Sequence, residues 1–455
     1  MQKWLDVAVS APAHSQVGGL LTYVTELPAS VGQLVRVPFG NREVLGVVWG
    51  VHTTAPQTLS THTLRQVIAV LEAVAPLSAH WLQLVQFTAH YYQRSLGEVA
   101  MAALPPQLRD LTPVQLARRF KKQVTPPETL DTALQSPWPL SEQQAEVLSQ
   151  MAEASGPFLL HGATGSGKTE VYLQAVARCL AEDPNAQALM MVPEINLTPQ
   201  LEERVKARFG DAGVVSMHSG MTGPQRLKSW LAAHQGSARI VLGTRMSIFA
   251  SMPHLKWIVV DEEHDASYKQ QEGARYSARD LAIYRARLEG AKVILGSATP
   301  SLESWHHSRP AAEGGRYLRL PMPARIGAGQ LPFVRRVDMN HQPRKTVLSA
   351  PLMAAIQERV AKGEQSMLLL NRRGYAPVLH CADCGWKSEC SHCSAFRVFH
   401  KIDRTLRCHH CGFTERVPRA CPACGNADIA PMGRGTEQLE EHLAELLVDV
   451  KRPNG

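Results

Sequence analysis

The sequence contains no long apolar run. No stretch approaches the ~18 consecutive apolar residues of a membrane-spanning helix. The N-terminal segment MQKWLDVAVSAPAHS has no apolar stretch behind a basic start, as a secretory signal would have. The sequence therefore predicts a cytoplasmic protein without a membrane partner.

Cysteine is almost absent outside one short segment. Eight of the nine cysteines lie between Cys381 and Cys424, and Cys179 stands alone. In a reducing compartment, such a cluster indicates metal ligands more often than disulfides.

What the chain does contain is ordinary for a globular protein with a basic surface. Its 455 residues are enough for roughly three domains, each with a core. Hydrophobic residues make up 44% of the chain and charged residues 19%. The net charge of +8 and the pI near 9.0 favour a polyanionic partner such as nucleic acid.

Two different patterns of secondary structure divide the chain. In the first 75 residues or so, LTYVTELP, GQLVRVPFG and EVLGVVWGV predict short strands, and a helix is expected over Ser78–Tyr92. From Leu140, apolar strands alternate with amphipathic helices. The strands are FLLHG, ALMMVPE, VVSMH, RIVLGT, WIVVDEEH and KVILGSATP. This alternation predicts an α/β fold with a parallel sheet covered on both faces.

A glycine-rich segment between the first of these strands and a helix predicts a phosphate site. Gly162, Gly165, Gly167, Lys168 and Thr169 fit the pattern G-x-x-x-x-G-K-[ST]. The glycines let backbone N–H groups surround phosphate oxygens at a helix N-terminus. Lys168 is then expected to bridge the β- and γ-phosphates of ATP, and Thr169 to hold Mg²⁺.

Carboxylates follow the buried strand WIVV directly. Asp261 at the end of such a strand suits a second Mg²⁺ ligand, and Glu262 beside it can orient and deprotonate an attacking water. The segment GSATP ends another strand, and its hydroxyl groups are expected to couple the nucleotide site to neighbouring loops. Together these residues predict an ATP-hydrolysing enzyme.

The cysteines form four Cys-x-x-Cys pairs, which suit two structural zinc ions. The eight ligands are Cys381, Cys384, Cys390, Cys393, Cys408, Cys411, Cys421 and Cys424. Spacing alone allows more than one pairing. An iron–sulfur cluster is the alternative metal centre, and His392, His409 and His410 are alternative ligands.

The order of the motifs resembles superfamily 2 DNA helicases, and among them the primosomal replication-restart helicases. The resemblance rests on GATGSGKTE, VPEINLTPQ, LGTR, DEEHDASYKQQEGARYSARD, GSATP and LNRRGYAP, together with the eight cysteines. It implies a RecA-like lobe, a partial second lobe with an inserted zinc module, and a small β-rich DNA-binding domain in front. It also implies ATP-dependent 3′→5′ unwinding at abandoned replication forks, with primosome proteins and single-strand DNA-binding protein as partners.

The resemblance also assigns roles to single residues. Gln144 is expected to contact adenine, and Thr22-Tyr23 stands where the family captures the 3′ end of a nascent strand. The zinc pairing it implies is nested: 381/384 with 421/424, and 390/393 with 408/411. The expected DNA contacts are Arg245, Tyr268, Lys269, Arg275 and Tyr276, with Arg279 as a further phosphate contact. Tyrosine rings can stack on bases, and the basic groups can bind phosphates.

The domain boundaries follow from these assignments. We expect a β-rich 3′-end-binding domain over 1–105 and a linker over 106–139 with an absent or vestigial winged helix. Helicase lobe 1 follows over 140–310 and an inter-lobe connection over 311–364, and residues 303–350 are expected to be irregular. Partial lobe 2 covers 365–380 and 425–455, with the strand SMLLLN at its start, and it is interrupted by the zinc module at 381–424.

The family's glycine-rich strand-loop and its Q-x-x-G-R-x-G-R helix do not occur before Gly455. That helix supplies an arginine finger, and losing such a residue lowers turnover by on the order of 10³–10⁵. We therefore expect these 455 residues to bind ATP and DNA but to hydrolyse and unwind poorly. A non-catalytic zinc-dependent fork-binding scaffold and a double-strand DNA translocase are the alternative hypotheses.

Overall fold

The computed structural model forms two compact units, Met1–Gln330 and Leu331–Gly455. The structure describes residues 2–11, 19–55, 64–121, 139–193, 198–211, 213–326, 333–342, 348–369, 378–381, 383–393, 396–400, 403–408, 411–432 and 443. Within these ranges no helix has both the length and the apolar character to cross a bilayer.

A five-stranded antiparallel sheet begins the first unit. Its strands are β1 (Lys3–Val9), β2 (Leu21–Thr25), β3 (Leu34–Phe39), β4 (Arg42–His52) and β5 (Ala69–Val70), in the order β2-β1-β4-β3-β5. The predicted strands β2, β3 and β4 are confirmed, whereas β1 and β5 were not predicted. β1 lies between β2 and β4 and is buried at three successive residues, so it lacks the alternation that marks a half-exposed strand.

Three helices follow this sheet: α1 (Ala79–Tyr91), α2 (Leu96–Ala103) and α3 (Pro113–Lys121). α1 begins where the sequence predicts, because the Ser78 side chain accepts a hydrogen bond from the Trp81 backbone N–H. Trp81 is buried, and its indole N–H donates to the carbonyl of Phe249, 2.9 Å away. α1 therefore joins the N-terminal sheet to the α/β part of the same unit. The predicted linker, 106–139, contains α3. Most of its remainder, residues 122–138, lies outside the described residues, so the expectation that its winged helix is absent or vestigial stays a prediction.

The α/β part is built on a seven-stranded parallel sheet. Its strands are β6 (Phe158–Gly162), β7 (Gln187–Met191), β8 (Val214–Met217), β9 (Ile240–Gly243), β10 (Leu255–Val260), β11 (Lys292–Ser297) and β12 (Leu318–Met322), in the order β12-β6-β11-β10-β7-β9-β8. The first six confirm the sequence prediction. β12 lies in a segment predicted to be irregular, so the sheet continues past residue 310. Pro321 obscured this strand in the sequence, but a proline is tolerated on an edge strand.

Helices cover both faces of this sheet. They are α4 (Glu142–Glu153), α5 (Lys168–Glu182), α6 (Thr198–Phe209), α7 (Gly223–His234), α8 (Ala278–Glu289) and α9 (Leu302–His307). Successive strand residues enter different cores: Leu159 packs with residues of α7 and α8, and Leu160 packs with residues of α4 and α5. The carboxyl ends of β6, β10 and β11 meet at one edge, and this edge positions the predicted nucleotide residues.

The second unit contains α10 (Ala350–Ala361) and five short strands, β13 (Val378–Cys381), β14 (Val398–His400), β15 (Thr405–Arg407), β16 (Thr414–Arg416) and β17 (Ile429–Met432). β13 pairs antiparallel with β17, and β14, β15 and β16 form a separate antiparallel sheet. The pair of strands β13 and β17 thus brackets the cysteine segment, and the insertion of that segment into a second helicase lobe stays a prediction. The strand predicted from Ser366 is not formed over 366–369, and 370–377 lie outside the described residues.

Candidate functional site

The glycine-rich loop connects β6 to α5, as predicted. Gly165 and Gly167 both have φ of +83°, a backbone conformation that only glycine adopts without strain. Lys168 is the first residue of α5, and its ammonium group donates to the Gly162 carbonyl at 2.9 Å. Lys168 is only 8% exposed. The Ser166 hydroxyl is also buried and has no hydrogen-bond partner among the residues that the structure describes. These donors fit a phosphate group.

Gln144 lies against this loop. Its side chain caps α4 by accepting a hydrogen bond from the Ser141 backbone N–H, and it donates to the Gly167 carbonyl at 3.2 Å. A Cβ atom on Gly167 would lie 2.5 Å from the Gln144 amide nitrogen. Gln144 therefore fixes the end of the loop, and the adenine contact expected for it stays a prediction.

Asp261 follows β10 and contacts Tyr172 of α5. Its Oδ1 accepts hydrogen bonds from the Tyr172 hydroxyl and the Glu262 backbone N–H, both at 3.1 Å. Burial raises the pKa of the Asp261 carboxyl and Glu262 raises it further, whereas the hydrogen bond from Tyr172 and the charge of Lys168 lower it. The structure thus brings Lys168 and Asp261 together at one edge of the sheet.

Tyr172 is a site residue that the sequence reasoning missed. It is 1% exposed, and burial together with the Asp261 charge raises its pKa well above the usual value, so its hydroxyl remains a donor. A Cβ atom at Gly296 would lie 1.5 Å from this hydroxyl, so the glycine of GSATP makes room for it. A usable signal existed, because Tyr172 lies four residues after Lys168 and therefore on the same face of a helix.

Glu262 and His264 connect the acidic segment to GSATP. Glu262 has φ of +45°, an uncommon conformation for a residue with a side chain. The His264 Nδ1 atom lies 2.8 Å from the Ser297 hydroxyl oxygen and 3.6 Å from a Glu262 carboxylate oxygen. The GSATP hydroxyl group therefore contacts the acidic segment through His264, a residue for which no role was predicted.

Glu263 is buried in a network of hydrogen bonds that holds neighbouring segments together. It is 1% exposed, and its carboxylate accepts hydrogen bonds from the Ser301 backbone N–H and hydroxyl and from the Ser304 hydroxyl, at 2.7 to 3.0 Å. Arg279 donates to the same carboxylate at 3.4 Å and to Ser301 at 2.8 Å. The phosphate contact predicted for Arg279 is therefore inconsistent with its placement, because its guanidinium group is already bound within this network.

Arg245 holds the loop that follows the acidic segment. Its Nη1 atom donates to the carbonyls of Ser267, at 2.6 Å, and Lys269, at 3.2 Å. Lys269 and Arg275 are exposed, and the Lys269 ammonium group lies 5.0 Å from the centre of the Tyr92 ring. The structure therefore gathers these three predicted DNA-binding residues around a single loop, with Lys269 and Arg275 free to meet solvent.

Tyr268 is not exposed, as a ring that stacks on a DNA base must be. It is 2% exposed, and its hydroxyl donates to the carbonyls of Asp261 and Met191 at 2.7 and 2.9 Å. Its ring thus has no free face, and we withdraw it as a DNA contact. Tyr276 is half-buried, packs edge-on against Phe249, and has a pKa raised by burial to about 12. Loop position alone did not reveal which tyrosine points into the core.

Thr22 and Tyr23 line a cavity of about 340 Å³ in the N-terminal sheet, together with Pro38 and Phe39. The Thr22 hydroxyl donates to Asp6 Oδ1 at 2.9 Å, and the other carboxylate oxygen of Asp6 lies 2.7 Å from a His52 ring nitrogen. The oxygen of Thr22 remains able to accept a hydrogen bond. Tyr23 is buried, with its hydroxyl bound to the Pro38 carbonyl.

The eight clustered cysteines form the two nested groups that the resemblance implied. The groups are Cys381, Cys384, Cys421 and Cys424, and Cys390, Cys393, Cys408 and Cys411, each with sulfur atoms within 4.8 Å of one another. The nearest Sγ atoms across the pairs are 3.5 to 3.6 Å apart. Tetrahedral zinc with bonds of ~2.3 Å places its sulfur ligands roughly 3.8 Å apart, so both groups fit that ion. The His392 ring stacks on Phe413 instead, and His409 and His410 lie outside the described residues.

A glycine completes three of the four cysteine turns. Gly385, Gly412 and Gly425 each follow the second cysteine of a pair and have φ between +75° and +79°. Each donates its N–H to the carbonyl of the first cysteine, at 2.9 to 3.0 Å. The recurrent sequence Cys-x-x-Cys-Gly therefore encodes a tight turn with two thiols on one side. The glycine after the second cysteine is therefore a signal of this turn that the sequence itself displays.

Comparison with known proteins matches three segments of the chain to family models. Residues 6–105 match a 3′ DNA-binding domain of PriA, 141–307 match a DEAD/DEAH box helicase, and 390–416 match the Cys-rich region domain of PriA DNA helicase. Helicase and zinc-ribbon families thus meet in one chain.

Curated relatives cover most of the chain. Replication restart protein PriA of Bacillus subtilis is 41% identical over 68% of this chain and 39% of its own length. Its namesake in Haemophilus influenzae is 34% identical over 92% of this chain and 66% of its own length. The chain thus spans between about two fifths and two thirds of the length of these relatives. Among solved structures, the DUF1998 helicase MrfA is 18% identical over 54% of this chain and 39% of its own, with a TM-score of 0.37.

Proposed function

The chain belongs to the PriA family of replication restart proteins, and from this premise we propose that it is an ATP-dependent superfamily 2 DNA helicase acting at stalled or abandoned replication forks. We infer further that it translocates 3′→5′ and begins primosome assembly. The observation that carries the proposal is the convergence of Lys168 and Asp261 at the edge where β6 and β10 end. This is the donor and acceptor set that a magnesium nucleotide requires.

The proposed roles follow from the placement of each side chain. The N–H groups of the loop and Lys168 bind the phosphates, with the helix N-terminus adding a favourable field. Thr169 and Asp261 supply oxygen ligands for Mg²⁺, which when bound neutralises charge on the phosphates. Glu262 orients the attacking water. Its strained backbone and the hydrogen bond from its N–H to Asp261 keep the two carboxylates in fixed relation.

A short chain of contacts supports communication between nucleotide and DNA. Tyr268 binds the backbone of Asp261, and Arg245 binds the carbonyls of the residues on either side of Tyr268. Arg275 and Lys269 extend from the same loop into solvent and are proposed to bind phosphates of the single strand. A change at Asp261 can therefore reach the DNA-binding loop through two part-buried hydrogen bonds, Tyr268 to Asp261 and Arg245 to Ser267.

The remaining proposals concern the cavity at Thr22, the two cysteine groups and the protein partners. The cavity at Thr22 is proposed to receive the 3′ end of a nascent strand, with the threonine oxygen as acceptor. Each cysteine group is proposed to hold one Zn²⁺, which has a structural role because all four positions are filled by protein sulfur. Primosome proteins and single-strand DNA-binding protein are the proposed protein partners.

Strand displacement on forked DNA tests the function. We expect displacement that requires ATP and Mg²⁺ and that proceeds on forks with a 3′ loading strand but not on forks with only a 5′ strand. Protein in excess over DNA keeps a slow reaction visible. Hydrolysis stimulated by DNA without displacement would instead indicate a double-strand translocase. Fork binding that is indifferent to nucleotide would indicate a scaffold.

Replacing Tyr172 by phenylalanine is expected to weaken Mg²⁺ binding by about tenfold, because Asp261 loses a hydrogen bond to its charged form. That bond lowers the pKa of Asp261. Without it the pKa rises, so the acid limb of Mg²⁺-dependent nucleotide binding should move to higher pH. A titration of fluorescent nucleotide with Mg²⁺ at several pH values measures this shift.

Tyr268→Phe is the matched control, because its buried hydroxyl binds the Asp261 backbone carbonyl and leaves the carboxylate untouched. It should lose comparable stability and keep the wild-type pH profile. Equal shifts in both variants would contradict a specific role of Tyr172. Nucleotide binding without Mg²⁺ should be unchanged in each.

A further inference from the structure

The first unit contains a second cavity with an unbalanced positive charge. Its volume is about 500 Å³, within the range of small-molecule sites. Arg309, Arg316 and Arg319 line it, and no acidic residue is among the lining residues that the structure describes. Three other cavities in this unit differ. The one beside Cys179 includes Glu182 and Asp183, and the one beside Tyr268 includes three carboxylates. The Thr22 cavity has a single arginine.

The cavity lies at the opposite end of the sheet from the glycine-rich loop. Residues 154–156 line it just before β6 begins, and residues 315–317 line it just before β12 begins. The glycine-rich loop follows the other end of β6. Five residues of extended strand measure roughly 16 Å, so one bound nucleotide at the loop cannot also occupy this cavity.

Among the described residues, the three guanidinium groups have no carboxylate partner. None of them takes part in an ion pair found within the described ranges. The Arg309 Nε atom is buried and has no hydrogen-bond partner in the part of the chain that the structure describes, and its Nη1 atom lies 3.4 Å from a His306 ring nitrogen. A buried donor without an acceptor is unfavourable for folding, so a ligand that accepts from Arg309 would relieve a cost of the free protein.

Arg319 is held in a fixed orientation. Its guanidinium carbon lies 3.6 Å from the centre of the Trp305 ring. Its Nε atom donates to the Ser308 hydroxyl at 3.0 Å, and its Nη2 atom to the Trp305 carbonyl at 3.2 Å. The Arg319 Nη1 atom takes part in neither of these two hydrogen bonds, so its N–H groups can donate to a ligand. A pre-oriented guanidinium loses less entropy when it binds a ligand.

The local charge is felt by a neighbouring side chain. Burial lowers the pKa of His307, and the positive charges of Arg316, His306 and Arg309 lower it further. The cavity is therefore a region of positive potential.

We propose that this arginine cavity binds a phosphate group. A single carboxylate would leave two of the three guanidinium groups unpaired, whereas a phosphate presents several oxygens and up to two charges to the planar donor pairs of arginine. The volume leaves room for more than the phosphate itself. The phosphate belongs either to a free nucleotide or to the 5′ end of a DNA strand, and the site is separate from the one proposed to bind ATP.

The test uses Arg309→Gln/Arg316→Gln, with Arg178→Gln/Lys256→Gln as a control that removes the same charge at the cavity beside Cys179. Both pairs are placed in a Lys168→Ala background, which disables the glycine-rich loop. The probes are AMP, followed by calorimetry, and forked DNA with either a 5′-phosphate or a 5′-hydroxyl. We expect the arginine variant, and not the control, to lose at least about tenfold in affinity for one probe.

The outcomes separate the sources. Loss of AMP binding assigns a free nucleotide, and loss of the preference for 5′-phosphorylated DNA assigns a strand end. The melting temperature should be unchanged or higher, because the substitution removes an unpartnered buried donor. A wild-type cavity that binds neither probe more tightly than the arginine variant overturns the proposal. If the double variant fails to fold, Arg316→Gln alone decides, since its exposed side chain makes no ion pair in the described ranges.

Discussion

Replacing Lys168 by alanine is expected to lower DNA-stimulated ATP hydrolysis by at least about a hundredfold, the scale for removing one preorganised donor from a developing charge. Lys168 is nearly buried inside the loop and lies close enough to Asp261 to lower its pKa. Among the described residues, Lys168 is the one lysine whose ammonium group donates a hydrogen bond to the glycine-rich loop, at the Gly162 carbonyl. The variant should bind MgATP weakly and still bind forked DNA.

Lys256→Ala is a suitable control because Lys256 is exposed and belongs to the same lobe. It should retain wild-type hydrolysis and nucleotide affinity. Steady-state hydrolysis and fluorescent nucleotide titration measure both effects. Unchanged turnover in Lys168→Ala would remove the basis for assigning the glycine-rich loop as the phosphate site, while unchanged fork binding in both variants would show that the DNA contacts lie elsewhere, as proposed.

Replacing Cys390 by serine should release one of two bound zinc ions, and replacing Cys421 by serine should release the other. Each group fills four positions with thiolates, so removing one ligand opens a closed structural site. Structural zinc in small modules contributes ~10–16 kcal/mol of apparent binding free energy, and that energy is largely folding energy. We expect the variant modules to lose the protection of their cysteines from alkylation. Native mass spectrometry gives the zinc count.

Cys179→Ser is the matched control for the zinc count. Cys179 lies outside both groups, and burial together with Glu182 and Asp183 raises the pKa of its thiol to about 11. Its thiol is therefore protonated at neutral pH and unsuited to metal. A count of two for this variant and of one for each of the others is the expected pattern. A count of one for the wild type would contradict the two-site proposal.

Local patterns in the sequence predicted most of the first unit. The six strands from β6 to β11 and the glycine-rich loop each depend on a few consecutive residues, whose alternation and turn chemistry are visible in one dimension. β12 was missed because its edge position admits Pro321 and leaves Leu318 exposed, and both features weaken the strand pattern. The eight cysteines were recognised as a set from spacing, and their nesting came from resemblance.

Features that depend on packing were less predictable. Tyr268 and Arg275 occur in the same predicted loop, yet one is in the core and the other is in solvent, because the backbone turn at 266–268 directs Tyr268 inward. The arginine cavity combines residues about 155 positions apart in sequence with a β12 that was itself unpredicted. A single sequence therefore does not show which way a side chain points, or which residues far apart in the chain come together in the fold.

The buried carboxylate of Glu263 has a mechanical consequence. It is anchored to the first turn of α9 through Ser301 and Ser304 and to α8 through Arg279. Its neighbours Asp261 and Glu262 belong to the nucleotide edge of the sheet. If the segment 261–263 moves by about an ångström relative to α8 and α9, several hydrogen bonds of Glu263 must break at once. We therefore expect α8 and α9 to move together with this segment as one rigid group.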